Sequence, residues 1–377
     1  MDYWPLLEHP PKGIEIAIVR TESGPAWDPD VIERLESLAK QENDDSGKVS
    51  VHVVPNSGHW IYRDQPDTAR DYVPKKLPVS STPSSSSASS FTILLIHGLL
   101  GCGNDFADFA HSLSSSLSTS HASAVCRMVL VDLRNHGRTA DIEGLSPPHD
   151  TINAARDIAN LVKSLEWAWP DVVIGHSLGG KVALQYALSC SLGDYGVSAQ
   201  LPKQVWVLDA PPGKAENNSQ FEEITRALLT LKTVPSPIPS KEWLVDHLIR
   251  HGLSKFLSEW FGSSLKKSGE HETFSFDIDG AIDMFKAVVE MDYWTLLEHP
   301  PKDIEIAIVR TESKLTWDQD LVERLESLAK RESDESSGKV SVDVVPNSGH
   351  WIYRDQPQML LEIMTPRIAS LVQPPKC

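Results

Sequence analysis

The sequence predicts an α/β fold with a mostly parallel central sheet flanked by helices. Apolar runs rich in β-branched residues at 92–96, 171–174 and 205–208 are typical of buried strands. A further apolar run at 304–309 and an alternating run at 340–345 add two more strands. Helical patterns lie between several of these runs. Strands that alternate with helices in this way indicate a parallel sheet.

The turn after the second strand carries a serine between two glycines. Residues 175–179 are Gly-His-Ser-Leu-Gly, the G-x-S-x-G pattern of a nucleophile elbow between a strand and a helix. Gly175 and Gly179 lack a Cβ, so the strand and the helix can approach closely around a sharp turn. The turn places the Ser177 hydroxyl at a helix N-terminus, where partial positive charge favours developing negative charge. The pattern therefore predicts Ser177 as a nucleophile.

The loop after the first strand predicts the second half of an oxyanion hole. Acyl transfer needs preorganised N–H donors at the developing oxyanion. In an elbow, the residue after the nucleophile supplies one donor, here Leu178, and a His-Gly loop supplies the other, which we expect to be Leu99. His97 follows a central strand directly. This place favours a structural hydrogen-bonding role for His97 over a role as catalytic base.

A histidine after the last strand is the predicted general base. The alternating run at 340–345 is followed by a loop that contains Gly349 and His350. With His350 as the base, the chain order of nucleophile, acid and base is the one that elbow-type sites use. His176 precedes the nucleophile within the elbow and faces away from the Ser177 hydroxyl, which excludes it as the base.

The acid that orients this base has more than one candidate in the sequence. Asp209 ends the apolar strand at 205–208, and a carboxylate there can orient an imidazole and stabilise its protonated form. Glu312 and Asp318 follow the next strand and are the alternatives. We favour Asp209, because Glu312 is typical of a solvated turn and Asp318 of a helix N-cap.

Five segments together resemble the α/β-hydrolase superfamily and, within it, the plant branch of the esterase group called abhydrolase domain-containing protein 11. The elbow marks the superfamily alone, whereas Asp-Leu-Arg-Asn-His-Gly at 132–137 and Gly-Lys at 180–181 are more specific. The resemblance covers about residues 91–373 and implies Ser177, Asp209 and His350 as the catalytic triad. The matching segments lie at 97–101, 131–138, 175–182, 205–209 and 347–351.

The chain also repeats a part of itself. Residues 1–66 and 291–357 differ at about a dozen positions and by one inserted residue. Two copies are too few for a solenoid of stacked repeats. We interpret the first copy as a duplicate of the C-terminal hydrolase segment, with His59 as the counterpart of His350. Whether it docks elsewhere, adds strands to a sheet edge or stays partly disordered is open from the sequence.

These observations predict five regions along the chain. A Ser-rich stretch indicates a flexible linker between the first copy and the hydrolase core. An insertion after the strand that ends at Asp209 is typical of a helical cap. The regions are the N-terminal copy (1–66), the linker (67–90), the first part of the hydrolase core (91–213), the cap (214–290) and the second part of the core (291–377).

The cap is the predicted source of the substrate pocket. Helical patterns cover residues 241–250, 254–266 and 280–290. At helical spacing, most apolar residues of such helices pack the cap onto the core, and a few line the pocket. The candidate pocket residues are Trp243, Trp260, Phe261 and Phe285.

Composition is consistent with a globular enzyme. The chain has 377 residues, of which 40% are hydrophobic and 23% charged, and its formal net charge is −17. That charge argues against nucleic acid or an anionic membrane as a partner. No apolar run is long enough to span a bilayer. The start lacks a signal pattern, which favours an intracellular, soluble protein, cytoplasmic by default, with plastid and mitochondrion left open.

The sequence therefore predicts a serine hydrolase that cleaves small or lipid-like carboxylic esters without a metal or organic cofactor. Its four cysteines lack metal-ligand spacing and do not resemble a disulfide framework. Three alternatives remain at this stage: a non-hydrolytic lyase with the same triad, a receptor-like ligand binder, and a catalytically impaired duplicate.

Overall fold

A computed structural model gives two compact units, residues 1–86 and residues 87–377. We call the first the N-terminal unit and the second the C-terminal unit, and each is described by itself. The structure describes residues 7–8, 15–21, 29–40, 48–54, 91–120, 126–141, 145–165, 167–214, 219–268, 271–314, 316–331 and 336–372.

The elements of the described residues are numbered in chain order. The strands are β1 (Glu15–Thr21), β2 (Lys48–Val54), β3 (Phe91–Ile96), β4 (Cys126–Val131), β5 (Val172–His176), β6 (Gln204–Leu208), β7 (Leu265–Ser268), β8 (His271–Phe274), β9 (Glu305–Arg310) and β10 (Lys339–Val344). The helices are α1 (Pro29–Ala39), α2 (Ala107–Ser120), α3 (Thr151–Ser164), α4 (Leu178–Leu192), α5 (Ser219–Leu231), α6 (Lys241–Arg250), α7 (Lys255–Ser263), α8 (Ile278–Glu290), α9 (Trp294–Glu298), α10 (Gln319–Ala329), α11 (Ile352–Asp355) and α12 (Pro357–Val372).

The C-terminal unit has the predicted α/β architecture, built around a six-stranded sheet. Its strand order is β10-β9-β6-β5-β3-β4, and every neighbouring pair is parallel. In chain order, β3 is the first strand of this sheet among the described residues. The carboxyl ends of parallel strands meet at one edge, which is where ligands bind in open α/β sheets.

The two faces of the sheet bury separate hydrophobic clusters, as β3 illustrates. Ile93 and Leu95 belong to the cluster that includes residues of α2 and α12. Leu94 and Ile96 belong to the other cluster, which α3, α4 and the cap complete. Both faces of β3 are therefore buried, which explains why this strand is apolar throughout rather than alternating.

The cap lies between β6 and β9 and comprises α5, α6, α7, the antiparallel pair β7–β8, and α8. Helix α6 has the predicted bounds, and α8 begins two residues before the predicted start, where Asp277 caps it by accepting from the Gly280 N–H. The predicted helix over 254–266 is wrong at its end. The helix stops at Ser263, and Leu265 instead starts strand β7, which pairs with Phe274. A local pattern could not show this cross-strand partner.

The loop after β4 fastens the cap to the core. Asn135 has a left-handed φ of 60° and bonds the Asp277 backbone twice, accepting from its N–H at 2.8 Å and donating to its carbonyl at 2.8 Å. Beside it, the buried Arg134 donates to Asp157 at 2.7 Å and to the Pro148 carbonyl at 2.6 Å. The start of α8 is thereby held against this loop.

The N-terminal unit contains β1, α1 and β2, and it pairs its strands as the C-terminal copy does. Glu15 lies opposite Lys48 in the parallel β1–β2 pair, as Glu305 lies opposite Lys339 in β9–β10. An ion pair also recurs, Arg34 with Glu8 in the first copy and Arg324 with Glu298 in the second. Within these elements, the two repeated segments are therefore similar in structure as well as in sequence. His59 and the predicted linker at 67–90 lie outside the described residues.

None of the described helices combines the length and the apolar character that crossing a membrane requires. The predicted five-region division stays a prediction, as does the location in the cell.

Candidate active site

Ser177 sits in the tight turn between β5 and α4. Its φ of 54° and ψ of −120° form a strained conformation that side-chain-bearing residues rarely adopt. A Cβ on Gly175 would overlap the Gly179 carbonyl, and a Cβ on Gly179 would overlap the Ile96 carbonyl. Glycine is therefore required at both positions for the helix to start this close to the sheet. The Ser177 N–H donates to the Leu208 carbonyl at 2.9 Å, which fixes the turn to β6.

Asp209 and His350 meet beside this serine, although 141 positions separate them in the chain. Asp209 follows β6 and His350 lies in the loop after β10. The Nδ1 of His350 lies 2.7 Å from Oδ2 of Asp209. Because a carboxylate only accepts, Nδ1 carries the hydrogen, and Nε2 is left to accept a proton. The arrangement is that of an imidazole oriented as a general base.

The two alternative acids are occupied elsewhere. Glu312 accepts from the Asn347 N–H at 3.1 Å, and Asp318 caps α10 by accepting from the Leu321 N–H at 2.8 Å. The structure therefore brings Asp209, and neither of these carboxylates, to His350.

Asp209 is nearly inaccessible, and its second oxygen is fully engaged. Oδ1 accepts from the Thr311 N–H at 3.1 Å, the Thr311 hydroxyl at 3.0 Å and Trp317 Nε1 at 2.6 Å. Burial alone would raise the pKa of Asp209, but the bond and charge of His350, with the bonds from Trp317 and Thr311, hold it below its ordinary value. Sequence reasoning missed Thr311 and Trp317, because only the packing of the loop between β9 and α10 brings them to the carboxylate.

Two further histidines support the site without serving as its base. His176 donates from Nε2 to the His350 carbonyl at 2.7 Å, and burial and the neighbouring His350 lower its pKa to about 3. His97 accepts from the Leu133 N–H at Nε2 and donates from Nδ1 to the Gly98 carbonyl at 2.7 Å. Burial lowers the pKa of His97 as well. Both stay neutral near pH 7 and hold backbone atoms in place.

A cavity of about 390 Å³ opens above these residues, and Ser177, Asp209 and His350 all line it. The two predicted oxyanion donors, Leu99 and Leu178, line it too. Leu178 is the first residue of α4, where an N–H has no acceptor within its own helix.

The cap contributes two of the four predicted pocket residues to this wall. Trp260 and Phe285 line the cavity, whereas Trp243 and Phe261 do not. Phe261 is fully buried in the core, and Trp243 stacks on His247 with ring centroids 4.8 Å apart. The reason is helical geometry, since neighbouring residues such as 260 and 261 point in different directions.

Three aromatic side chains cluster at the cavity, and one of them, Trp351, was missed in the sequence. Trp351, directly after His350, lies 5.3 Å from Phe256 and 6.1 Å from Trp260 between ring centroids. All three rings line the cavity. Phe256 is also 59% exposed, although it is large and apolar. Phe256 is one of the apolar cap residues that the helical pattern offers for the pocket, whereas Trp351 could have been suspected only from its position next to the predicted base.

Comparison with known proteins identifies the family. The family model described as "Alpha/beta hydrolase family" matches residues 93–363. The chain belongs to the alpha/beta hydrolase family.

Individual relatives of this alpha/beta hydrolase are distant. It is 22% identical over 301 residues to the Mus musculus protein named sn-1-specific diacylglycerol lipase ABHD11, covering 78% of this chain and 86% of that one. The Danio rerio protein of the same name is 29% identical over 150 residues, but the match spans 40% of this chain and only 41% of that one. A solved structure titled "Marine microorganism esterase" superposes with a TM-score of 0.52 at 21% identity, covering 73% of this chain and 94% of that one.

Charged side chains in the wall of this alpha/beta hydrolase have partners. Arg354 pairs with Asp105 at 2.7 Å. Lys181, in α4, is buried and donates to three carbonyls, those of Gly213, Val288 and Met291, at 2.7, 2.7 and 2.9 Å. Burial lowers the pKa of Lys181 to about 8, so the ammonium form still predominates at neutral pH. Among the described residues, no cluster of three or more His, Cys, Asp or Glu side chains could hold a metal ion.

Replacing Lys181 is expected to destabilise this alpha/beta hydrolase. Lys181→Met keeps an apolar stem but leaves three carbonyls without their donor, and unsatisfied buried groups cost about 1–3 kcal/mol each. Because the backbone can partly adjust, we expect a loss of about 3 kcal/mol in the free energy of unfolding, measured by urea titration. Lys203→Met, which removes an exposed pair with Asp171, is the control and should cost less than about 1 kcal/mol. Equal losses in the free energy of unfolding for the two variants would show that the three carbonyl contacts of Lys181 stabilise the fold no more than an exposed ion pair does.

Proposed function

We propose that this alpha/beta hydrolase cleaves carboxylic esters through a covalent acyl-enzyme, with Ser177 as nucleophile, His350 as base and Asp209 as acid. The observation that carries the proposal is the 2.7 Å contact between His350 Nδ1 and Asp209 Oδ2 in the cavity that Ser177 also lines. The strained elbow at Ser177 supports the same assignment.

The first half-reaction forms the acyl-enzyme. Ser177 Oγ attacks the ester carbonyl while His350 Nε2 takes the hydroxyl proton, and Asp209 stabilises the imidazolium that results. The tetrahedral intermediate collapses, its bond to the alkoxy oxygen breaks, and His350 returns the proton to the leaving alcohol. Water then attacks the acyl-enzyme by the same route, giving the carboxylic acid and free Ser177.

The negative charge on the carbonyl oxygen is held by backbone donors. The N–H groups of Leu99 and Leu178 are the proposed pair. Leu99 lies in the loop after β3, and Leu178 is the first residue of α4. The start of α4 adds the partial positive charge of a helix N-terminus. Apart from the ester and a water molecule, these steps use only side chains and backbone groups of the chain.

The wall of the cavity supports an apolar acyl group as the substrate feature. Trp260, Phe285, Phe256 and Trp351 face the cavity, and the charged wall residues Arg354 and Lys181 already have partners. A carboxylate on the acyl chain would lose its water without gaining a free cation, which costs several kcal/mol. The two relatives named sn-1-specific diacylglycerol lipase are consistent with this preference.

A matched pair of esters tests both the reaction and the preference. We expect p-nitrophenyl valerate to be hydrolysed with a kcat/KM at least about tenfold above that of the glutaric acid mono-p-nitrophenyl ester, which has a carboxylate at the chain end. In ¹⁸O-water, the released acid should carry one new ¹⁸O, as hydrolysis requires. A preference for the anionic ester would contradict the substrate class. Products that lack the label would favour the lyase alternative, and binding without turnover the receptor-like or impaired ones.

A further inference from the structure

The loop that carries Leu99 is a tight turn in an unfavourable conformation. The Gly101 N–H donates to the Gly98 carbonyl at 3.1 Å, which closes a four-residue turn. The third residue of this turn, Leu100, has a φ of 59°, a value that favours glycine or asparagine. Leu100 has a Cβ, so this conformation costs free energy and must be held by its surroundings.

Side-chain hydrogen bonds hold the backbone at both ends of the turn. His97 donates from Nδ1 to the Gly98 carbonyl at 2.7 Å. Asp105 accepts from the Cys102 N–H at 3.0 Å. Neither contact reaches the carbonyl of the strained residue itself.

The carbonyl of Leu100 is held from the cap. The Ser264 hydroxyl, at the end of α7, donates to the Leu100 oxygen at 3.2 Å. Ser264 is only 4% exposed, so water does not readily replace this bond. It is itself fixed within the cap, because its carbonyl accepts from the Ser275 N–H at 2.9 Å and from the Ser275 hydroxyl at 2.8 Å.

We propose that Ser264 is a positioning residue that couples seating of the cap to assembly of the oxyanion hole. The inference rests on the proposed function, since it assumes that Leu99 donates to the oxyanion. Without the Ser264 bond, Leu100 is free to relax to a negative φ. Because the Gly101–Gly98 bond closes the turn, a rotation at Leu100 must be accommodated by rotation at Leu99, which displaces the Leu99 backbone and with it the proposed Leu99 N–H donor. Ser264 touches no reacting atom and acts through the turn.

The rate of fluorophosphonate labelling of the full chain tests this, because phosphonylation of a serine builds charge on an oxygen in the oxyanion hole and does not require the natural ester. Titrating the probe separates its reversible affinity from the maximal labelling rate. We expect Ser264→Ala to lower the maximal rate about tenfold, less than the 10²–10³ typical of losing an oxyanion donor itself, with affinity unchanged. Ser258→Ala removes a buried hydroxyl of helix α7 that donates to the Ser254 carbonyl at 2.9 Å within the cap, and it should label within about twofold of the wild type.

A second pair of variants guards against misfolding. Ser264→Thr keeps the hydroxyl and Ser264→Val replaces it by a methyl group of the same shape, so both share any cost of the added bulk. Only the valine variant should label slowly. Equal rates for threonine and valine, a wild-type rate for Ser264→Ala, or equal losses for Ser264→Ala and Ser258→Ala would each overturn the inference. Absence of labelling in the wild type would instead overturn the proposed function on which it rests.

Discussion

Ser177→Ala is expected to abolish ester turnover and fluorophosphonate labelling, with a loss in kcat on the order of 10⁶, as for nucleophiles of comparable sites. The substitution removes only the serine hydroxyl, and the Ser177 backbone N–H that donates to the Leu208 carbonyl remains. The elbow should therefore keep its shape, and the unfolding midpoint should stay close to that of the wild type. Labelling is read by intact-protein mass.

Ser263 provides the matched control, because its side chain lines the same cavity. Ser263→Ala should label at the wild-type rate. Labelling that persists in Ser177→Ala, or that disappears in Ser263→Ala alone, would place the nucleophile elsewhere.

Asp209→Asn is expected to lower kcat on the order of 10⁴-fold through the wrong histidine tautomer. The three bonds that Oδ1 accepts from Thr311 and Trp317 oblige the amide oxygen to take that place. The amide nitrogen then faces His350 Nδ1 and donates to it. This leaves the imidazole hydrogen on Nε2, where it cannot accept the Ser177 proton. Steady-state kinetics on p-nitrophenyl valerate measures the loss.

The alternative acids give the controls for this prediction. Glu312→Gln retains an oxygen that can accept from the Asn347 N–H, and Asp318→Asn retains a favourable helix cap. Each should change kcat by less than about threefold, since neither bond involves the imidazole. A larger effect for either one than for Asp209→Asn would move the acid to the loop after β9.

The parts of the site that local patterns encode were predictable from the sequence. Close backbone contacts require glycine on both sides of Ser177, and the G-x-S-x-G spacing is enough to predict the turn. The meeting of Asp209 with His350 was predictable by a rule of topology, because both follow parallel strands whose carboxyl ends share one edge.

What the sequence could not provide depends on packing between distant segments. Nothing near Trp317 indicates that its indole reaches Asp209, and its place before α10 resembles an ordinary helix start. The pocket shows the same limit, since Trp260 and Phe261 are adjacent aromatic residues and only one lines the cavity. Strand β7 was missed because the pairing of Leu265 with Phe274 has no local signature.

The way the cap is fastened has a consequence for its motion. Asn135 holds the start of α8, and Lys181 holds its last turn together with the Gly213 carbonyl before the cap. Helices α6 and α7 lie between these anchors and are tied to the Leu100 turn by the Ser264 bond, so we expect the cap to open, once that bond breaks, as a flap that swings on a fixed base. Backbone amides of α8 should then exchange with deuterium more slowly than those of α6 and α7, and the reverse order would exclude such a hinge. For a substrate whose entry requires this flap to lift, the frequency of lifting would set an upper limit on turnover, whatever the rate of the chemistry at Ser177.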